Sequence, residues 1–96
     1  MTESKFQAKL IKDLHNIFRG CIVLKNDANY LQGVPDLIIL YRDRWAVLEC
    51  KRSATERFQP NQEYYIEKMD RMSFAKVIYP ENAEEVLDEL QFAFES

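Results

Sequence analysis

Two carboxylates and a lysine flank a pair of apolar runs near the middle of the chain. Asp36 directly precedes the run Leu37–Tyr41, and Glu49 and Lys51 end the run that follows it. Because side chains alternate between the two faces of a strand, Glu49 and Lys51 share one face while Cys50 points to the other. Carboxylate oxygens, with the backbone carbonyl of Cys50 as a third donor, suit Mg²⁺ or Mn²⁺. A lysine beside such an ion can stabilise negative charge on a phosphate, so this spacing predicts metal-dependent phosphodiester hydrolysis.

The register of the two runs decides whether the carboxylates meet. Two strand-like runs separated by a few turn-compatible residues indicate a hairpin. Asp36 shares a face with Glu49 only if the two sequence numbers of each cross-strand pair add up to an odd value, as when Asp36 lies opposite Lys51. A two- or four-residue connection achieves this, as does a three-residue connection with a bulge. Because Asp43-Arg44 lacks the Asn-Gly or Asp-Gly chemistry of tight hairpin turns, we expect the four-residue loop Arg42 to Trp45, or a bulge.

An ordinary cross-strand salt bridge at the end of a sheet is the alternative interpretation of these residues. Exposed ion pairs of this kind contribute only ~0–1 kcal/mol to stability. Stability alone therefore gives little reason for Asp36, Glu49 and Lys51 to gather at one place, and we favour the metal site.

The rest of the chain predicts the elements that would position this site. Apolar residues at helical spacing indicate one helix over about 3–18 and a closing helix over about 82–94. Strands are expected over 21–25 and 74–79, with a polar loop over 26–32 after the first. A second polar loop, over 52–59, leads to Pro60, which suits the first turn of a helix running to about Met72. The fold class we expect is α/β, a mixed sheet of about four strands flanked by helices in the order α-β-β-β-α-β-α.

Length and composition indicate a single globular domain. The chain has 96 residues, of which 47% are hydrophobic and 30% charged, and we interpret residues 1–96 as one domain. No apolar stretch approaches the ~20 residues of a membrane span, and no apolar segment follows the N-terminal lysines as in a signal peptide. We therefore expect a cytoplasmic protein with no membrane partner. Cys21 and Cys50 lie in apolar runs and are expected to be buried free thiols rather than a disulfide or a zinc site.

The net charge of −3 hides an uneven distribution along the chain. Six of the 16 acidic residues and none of the 13 basic ones follow position 80, which leaves 13 bases against 10 acids over residues 1–80, a balance of +3. Four arginines surround the two carboxylates in sequence: Arg42, Arg44, Arg52 and Arg57. Such a cluster predicts contacts with the phosphates of DNA. A solvated charged surface is the alternative.

Pro35-Asp36 together with Glu49-Cys50-Lys51 resembles the signature of the PD-(D/E)xK nuclease superfamily. The form Gly33-Val34-Pro35-Asp36, the short spacing and the small size are similar to its archaeal Holliday-junction resolvase branch and its virus-type replication-repair nuclease (VRR-NUC) branch. Glu3 on the first helix and Gln62 on the second extend the resemblance over nearly the whole chain. The resemblance implies a restriction-endonuclease-like core.

The resemblance also suggests roles for three residues outside the central motif. In the family an acid on the first helix helps to hold a metal or orient the substrate, which implies that role for Glu3; a carboxylate favoured by the helix dipole is the alternative. Gln62 would hold a water or a phosphate oxygen near Lys51, and its alternative is a solvated amide. The loop after the first strand nears the cleavage site in the resolvase branch, which implies a phosphate contact for Lys25.

The function that the resemblance implies is that of a divalent-metal-dependent DNA endonuclease without an organic cofactor. Mg²⁺ or Mn²⁺ would be held by Asp36, Glu49 and the carbonyl of Cys50, with Glu3 as a further candidate ligand, and one or two ions would bind. The resolvase branch suggests a homodimer that cuts branched or junction DNA in recombination, repair or phage DNA processing, in the host cytoplasm if phage-encoded. A single small domain favours recognition of backbone shape over base sequence.

Two other classes of function stay open from the sequence. One is a nucleic-acid-binding module that keeps the fold but does not cleave, against which the intact Asp36, Glu49 and Lys51 argue. The other is an assembly subunit of a larger replication or packaging complex, for which the acidic closing helix would be the docking surface.

Overall fold

A four-stranded mixed sheet forms the centre of the molecule. The computed structural model describes residues 1–96, and its elements are α1 (Glu3–Ile17), β1 (Ile22–Lys25), β2 (Leu37–Tyr41), β3 (Arg44–Cys50), α2 (Gln62–Met72), β4 (Ala75–Ile78) and α3 (Ala83–Glu95). The strands lie in the order β1-β2-β3-β4, antiparallel except for the parallel pair β3 and β4. That pair requires the crossover that α2 provides. The expected α/β class, mixed sheet and element order are confirmed.

α1 and α3 cover one face of the sheet. Each helix buries three residues at helical spacing: Phe6, Leu10 and Leu14 from α1, and Val86, Leu90 and Phe94 from α3. These residues share one core with alternate residues of the central strands, including Leu48 and Cys50. Because strand side chains alternate between faces, Glu49 must point away from this core, toward the opposite face of the sheet.

α2 packs against β4, and its first turn reaches Glu49 on the opposite face through Gln62. α2 begins at Gln62 rather than at Pro60 as predicted, because Asn61 adopts a left-handed φ of 71° that interrupts the helical path. The other predicted helix and strand ends agree with the structure to within two residues. None of the three helices is long and apolar enough to cross a membrane.

The hairpin between β2 and β3 has a two-residue connection, so the expected four-residue loop or bulge is wrong. Tyr41 pairs with Arg44, and Leu37 pairs with Leu48. The turn is tight because Arg42 adopts a φ of 57°, a conformation that usually calls for glycine or asparagine. Paired residue numbers sum to 85 in this register. The odd sum that the site requires is therefore present.

Gly33 joins the loop before β2 to the start of α2. It has a φ of 94°, and a Cβ at this position would lie 2.6 Å from the Cβ of Asn61 and 2.8 Å from the carbonyl oxygen of Pro60. Only a residue without a side chain allows this approach. The contact matters because Gln62, the next residue after Asn61, carries the amide that reaches the predicted site.

Replacing Gly33 with alanine should destabilise the protein more than the same change at Gly20. Both residues have left-handed φ values, but a Cβ at Gly20 meets nothing within 4 Å. The Gly20→Ala variant therefore measures the backbone strain alone. We expect Gly33→Ala to cost roughly 1–3 kcal/mol more, because it adds a steric clash. Urea unfolding of both variants measures the difference, and equal losses would contradict the proposed contact.

Candidate active site

Asp36 and Glu49 face each other where β2 begins and β3 ends. The register that pairs Leu37 with Leu48 places the next residue outward on each strand directly opposite. Asp36 is fixed there by its Oδ2 atom, which accepts a hydrogen bond of 2.9 Å from the backbone N–H of Cys50. Glu49 is 2% exposed and Lys51 is 3% exposed. The structure thus brings the three residues of the predicted centre together at one edge of the sheet.

Gln62 links Glu49 on β3 to Lys51, which follows the last residue of that strand. Its Oε1 atom accepts a hydrogen bond of 2.8 Å from Nζ of Lys51, and its Nε2 atom donates one of 3.0 Å to Oε2 of Glu49. Oε1 also accepts 2.7 Å from the backbone N–H of Gln59. This orientation of the amide is the only one that satisfies two pure donors and an acceptor carboxylate. Gln62 therefore sets the relative positions of Glu49 and Lys51.

Lys51 is held by contacts from several directions. Besides Gln62, its Nζ atom donates to the carbonyl oxygen of Arg57 at 3.2 Å. It also lies 3.7 Å from Oε2 of Glu49 and 3.7 Å from Oε2 of Glu56. The ammonium group is consequently fixed in place without forming a short ion pair with either carboxylate.

The surroundings of Glu49 disfavour its ionised form. Its Oε1 atom is buried and has no hydrogen-bond partner. Burial, followed by the charge of Asp36, raises the pKa of Glu49 to about 8 and outweighs the attraction of Lys51. A buried carboxylate oxygen without a partner is costly, and here it lies beside a second carboxylate.

Glu3 and Glu56 belong to the electrostatic surroundings of the same centre. Glu3 lies in the first turn of α1, and its pKa is raised by burial and by the charges of Glu56 and Asp36. Glu56 comes from the loop between β3 and α2, and sequence reasoning missed it. No periodicity or motif marks its position. The one sequence feature that points to it is Arg52, four residues earlier, which Glu56 binds.

The donor set suits a divalent cation. No group of three or more His, Cys, Asp or Glu side chains is arranged to hold a metal, so Glu3 does not complete a cluster with Asp36 and Glu49. The two opposed carboxyl groups, with the unpartnered Oε1 of Glu49, nevertheless provide hard oxygen atoms whose ionised forms a cation would stabilise. These features fit the predicted combination of two carboxylates and the carbonyl of Cys50.

The Cys50 thiol takes no part in this chemistry. It is buried on the core side of β3, and burial followed by the charge of Asp36 raises its pKa to about 12. Cys21 is also buried, and both are free thiols. The predicted burial of both thiols is confirmed.

The predicted DNA-contacting residues are divided between two ends of the molecule. Arg52 and Arg57 line an open cleft of about 610 Å³ beside Lys51. Lys25 pairs with Leu37 at the base of the site and is exposed. Arg42 and Arg44 instead lie at the hairpin turn, roughly 20 Å away along the strands. Arg44 donates a hydrogen bond of 2.8 Å to the carbonyl oxygen of Ala93 there.

Arg42 and Arg44 therefore lie away from the site, and their predicted contact with DNA stays a prediction. They are close to Asp36 and Glu49 in sequence, but the extended strands carry them to the far end of the hairpin. At the site itself Arg52 and Arg57 line the cleft. Lys25 pairs with Leu37 and shares its face of the sheet, opposite the face of Asp36 and Glu49.

A solved structure described as a VRR_NUC domain is similar to this chain over nearly its whole length. The likeness has a TM-score of 0.72 at 21% sequence identity and covers 93% of this chain and 94% of that chain. No protein-family model and no curated protein matches the sequence. The chain therefore has a VRR-NUC nuclease-like fold, as the sequence resemblance implied.

The raised pKa of Glu49 predicts a pH-dependent stability of the metal-free protein. The native state binds this proton more tightly than the unfolded state, whose value is near 4.5. The stabilisation is fully present below about pH 4.5 and is lost as the pH rises through about 8. We expect the free energy of unfolding in EDTA to fall by roughly 5 kcal/mol over this range.

Glu49→Gln should remove most of this slope, because glutamine does not titrate. Urea unfolding at several pH values measures it, with Glu89→Gln on the exposed face of α3 as the matched control. The control should keep the wild-type slope. Equal slopes in wild type and Glu49→Gln would contradict the assignment of this titration to Glu49.

Proposed function

We propose that this protein is a divalent-metal-dependent DNA endonuclease. The observation that carries the proposal is the buried carboxyl group of Glu49. Its Oε1 atom has no hydrogen-bond partner, and a second carboxyl group, that of Asp36, lies opposite it. Stability alone does not account for such an arrangement, because a buried polar atom without a partner is destabilising and ionising Glu49 beside Asp36 is more so. The VRR-NUC nuclease-like fold supports the same function.

Asp36, Glu49 and the carbonyl of Cys50 would hold Mg²⁺ or Mn²⁺. When bound, the ion would lower the pKa of a water molecule and neutralise charge on the phosphate. Lys51, whose Nζ atom is fixed by Gln62 and Arg57, would stabilise the negative charge that develops on the phosphate oxygens. Glu3 would orient the substrate from the first turn of α1.

The proposed substrate is branched or otherwise structured DNA, bound through its phosphates. Arg52 and Arg57 line the cleft beside Lys51, and Lys25 lies at the base of the loop whose Asn26 N–H bonds the carbonyl oxygen of Asp36 at 2.8 Å. Phosphate contacts position a protein on DNA without reading sequence. We propose that a homodimer presents two such sites and acts in recombination, repair or phage DNA processing.

An assembly subunit without cleavage activity is the second candidate. Five acidic side chains line one surface depression beside α3: Glu81, Glu84, Glu85, Asp88 and Glu89. Phe92 on the same helix is 78% exposed. The exposed aromatic ring favours a docking role for this helix, because aromatic residues are enriched at protein interfaces.

Cleavage assays test the proposed activity directly. Wild-type protein should cut DNA with Mg²⁺ or Mn²⁺ and not with EDTA, and a four-way junction or flap should be preferred to linear duplex and single strands. Glu49→Gln should lower the cleavage rate roughly 100-fold or more, because it removes a ligand charge. Binding measured in EDTA should be retained in this variant. The absence of cutting on every substrate, together with the absence of metal binding in calorimetry, would favour the assembly subunit.

Gln62→Ala should reduce cleavage by roughly ten- to hundredfold, the range seen when groups that orient ligands are removed. The amide bonds both Glu49 and Lys51, so its loss should lower kcat more than it raises KM for DNA. Gln91→Ala, an exposed amide on α3, is the matched control and should retain full activity. A loss confined to KM would instead place Gln62 in DNA binding.

A further inference from the structure

The carboxylate of Glu56 sits among donors that point at one place beside the proposed active site. Its Oε1 atom accepts hydrogen bonds from the backbone N–H of Arg52 at 2.7 Å and from Nε of Arg52 at 3.2 Å. Its Oε2 atom lies 3.7 Å from Nζ of Lys51. One acidic group thus occupies a position surrounded by a backbone amide, a guanidinium and an ammonium.

These three donors together are typical of a phosphate-binding position. Guanidinium groups bind carboxylates and phosphates in closely similar geometry, and backbone N–H groups and lysines complete many such positions. A phosphate oxygen could therefore take the place of either carboxylate oxygen of Glu56 without rearrangement of the donors.

The contacts of Lys51 with Glu56 and Glu49, both 3.7 Å, are the longest of its polar contacts. Its hydrogen bonds to Gln62 and to the carbonyl of Arg57 are 2.8 and 3.2 Å long, whereas Glu56 lies 3.7 Å away. Removing the Glu56 carboxylate would leave Lys51 anchored by its two shorter bonds. The ammonium would then be free to face another anion.

The surroundings allow Glu56 to leave. It belongs to the loop between Cys50 and Gln62, and it lines the open cleft of about 610 Å³, whose wall contains no hydrophobic residue. The guanidinium partner, Arg52, has a side chain that is 67% exposed.

We infer that Glu56 occupies a phosphodiester-binding position formed by Arg52 and Lys51, and that a backbone phosphate of the nucleic acid displaces it on binding. The inference rests on the DNA-binding part of the proposed function. Glu56 then acts as an internal competitor, which weakens the binding of any nucleic acid whose phosphate must displace it from this position. No covalent step is involved, since one anion replaces another.

DNA binding by a Glu56→Gln variant tests this inference. Glutamine keeps a carbonyl oxygen for the N–H of Arg52, so the loop conformation is preserved, but it removes the charge that competes with phosphate. In EDTA, a fluorescein-labelled duplex should bind roughly three- to tenfold more tightly, as measured by anisotropy. The slope of log K against log[salt] should become steeper by about one, since one more phosphate is contacted. Circular dichroism confirms that the variant is folded.

Two further variants separate the local contact from a general effect of charge. Glu63→Gln removes one acidic charge from the exposed first turn of α2, and it should change affinity and salt slope much less. In an Arg52→Gln background, the gain from Glu56→Gln should largely disappear, because the phosphate position lacks its guanidinium. Equal gains from Glu56→Gln and Glu63→Gln, or an undiminished gain without Arg52, would overturn the inference.

Cleavage measured on the same proteins distinguishes this inference from the proposed function. If the binding pattern holds but no substrate is cut, the phosphate position stands and the endonuclease proposal fails. If the wild type cuts DNA but Glu56→Gln binds no more tightly, the inference alone fails. Weaker binding by Glu56→Gln would likewise overturn it and make Glu56 a supporting residue of the loop.

Discussion

The register of the β2–β3 hairpin is the constraint on which the site depends. The pairing of Leu37 with Leu48 buries both residues in the core and places Asp36 opposite Glu49 one residue further out. A slip of one residue would expose the buried leucine and turn Asp36 to the other face. The hydrophobic core therefore holds the two carboxylates together, although neither carboxylate contributes to that core.

The second feature of the site is a buried carboxyl group, that of Glu49, which tertiary contacts hold in position. Glu49 is buried with one oxygen unpartnered, and its position is maintained by Gln62 from α2. The start of α2 is in turn held by the close approach of Gly33 to Asn61. Three separate segments thus converge to keep an electrostatically unfavourable group fixed, which is the pattern expected where stability is reduced in favour of function.

Two glutamates near Lys51 show how the environment sets the pKa and the mobility of the same type of side chain. Burial and a neighbouring carboxylate raise the pKa of Glu49, whereas the hydrogen bond from the backbone N–H of Arg52 lowers that of Glu56. Glu49 lies on a central strand and cannot move away, while Glu56 lies on a loop beside an open cleft. The same charge is a fixed part of the site in one case and a replaceable one in the other.

The sequence alone determined the order of elements, the core stripes and the common face of Glu49 and Lys51, because these follow from local periodicity. It did not determine the two-residue turn, because Arg42 takes a left-handed φ that its residue type disfavours. The separation of Arg42 and Arg44 from the site also required the structure, since extended strands carry sequence neighbours far apart. The contacts of Gln62 and Glu56 with Lys51 depend on the path of an irregular loop. Only tertiary packing decides such a path, since no repeating pattern of residues encodes it.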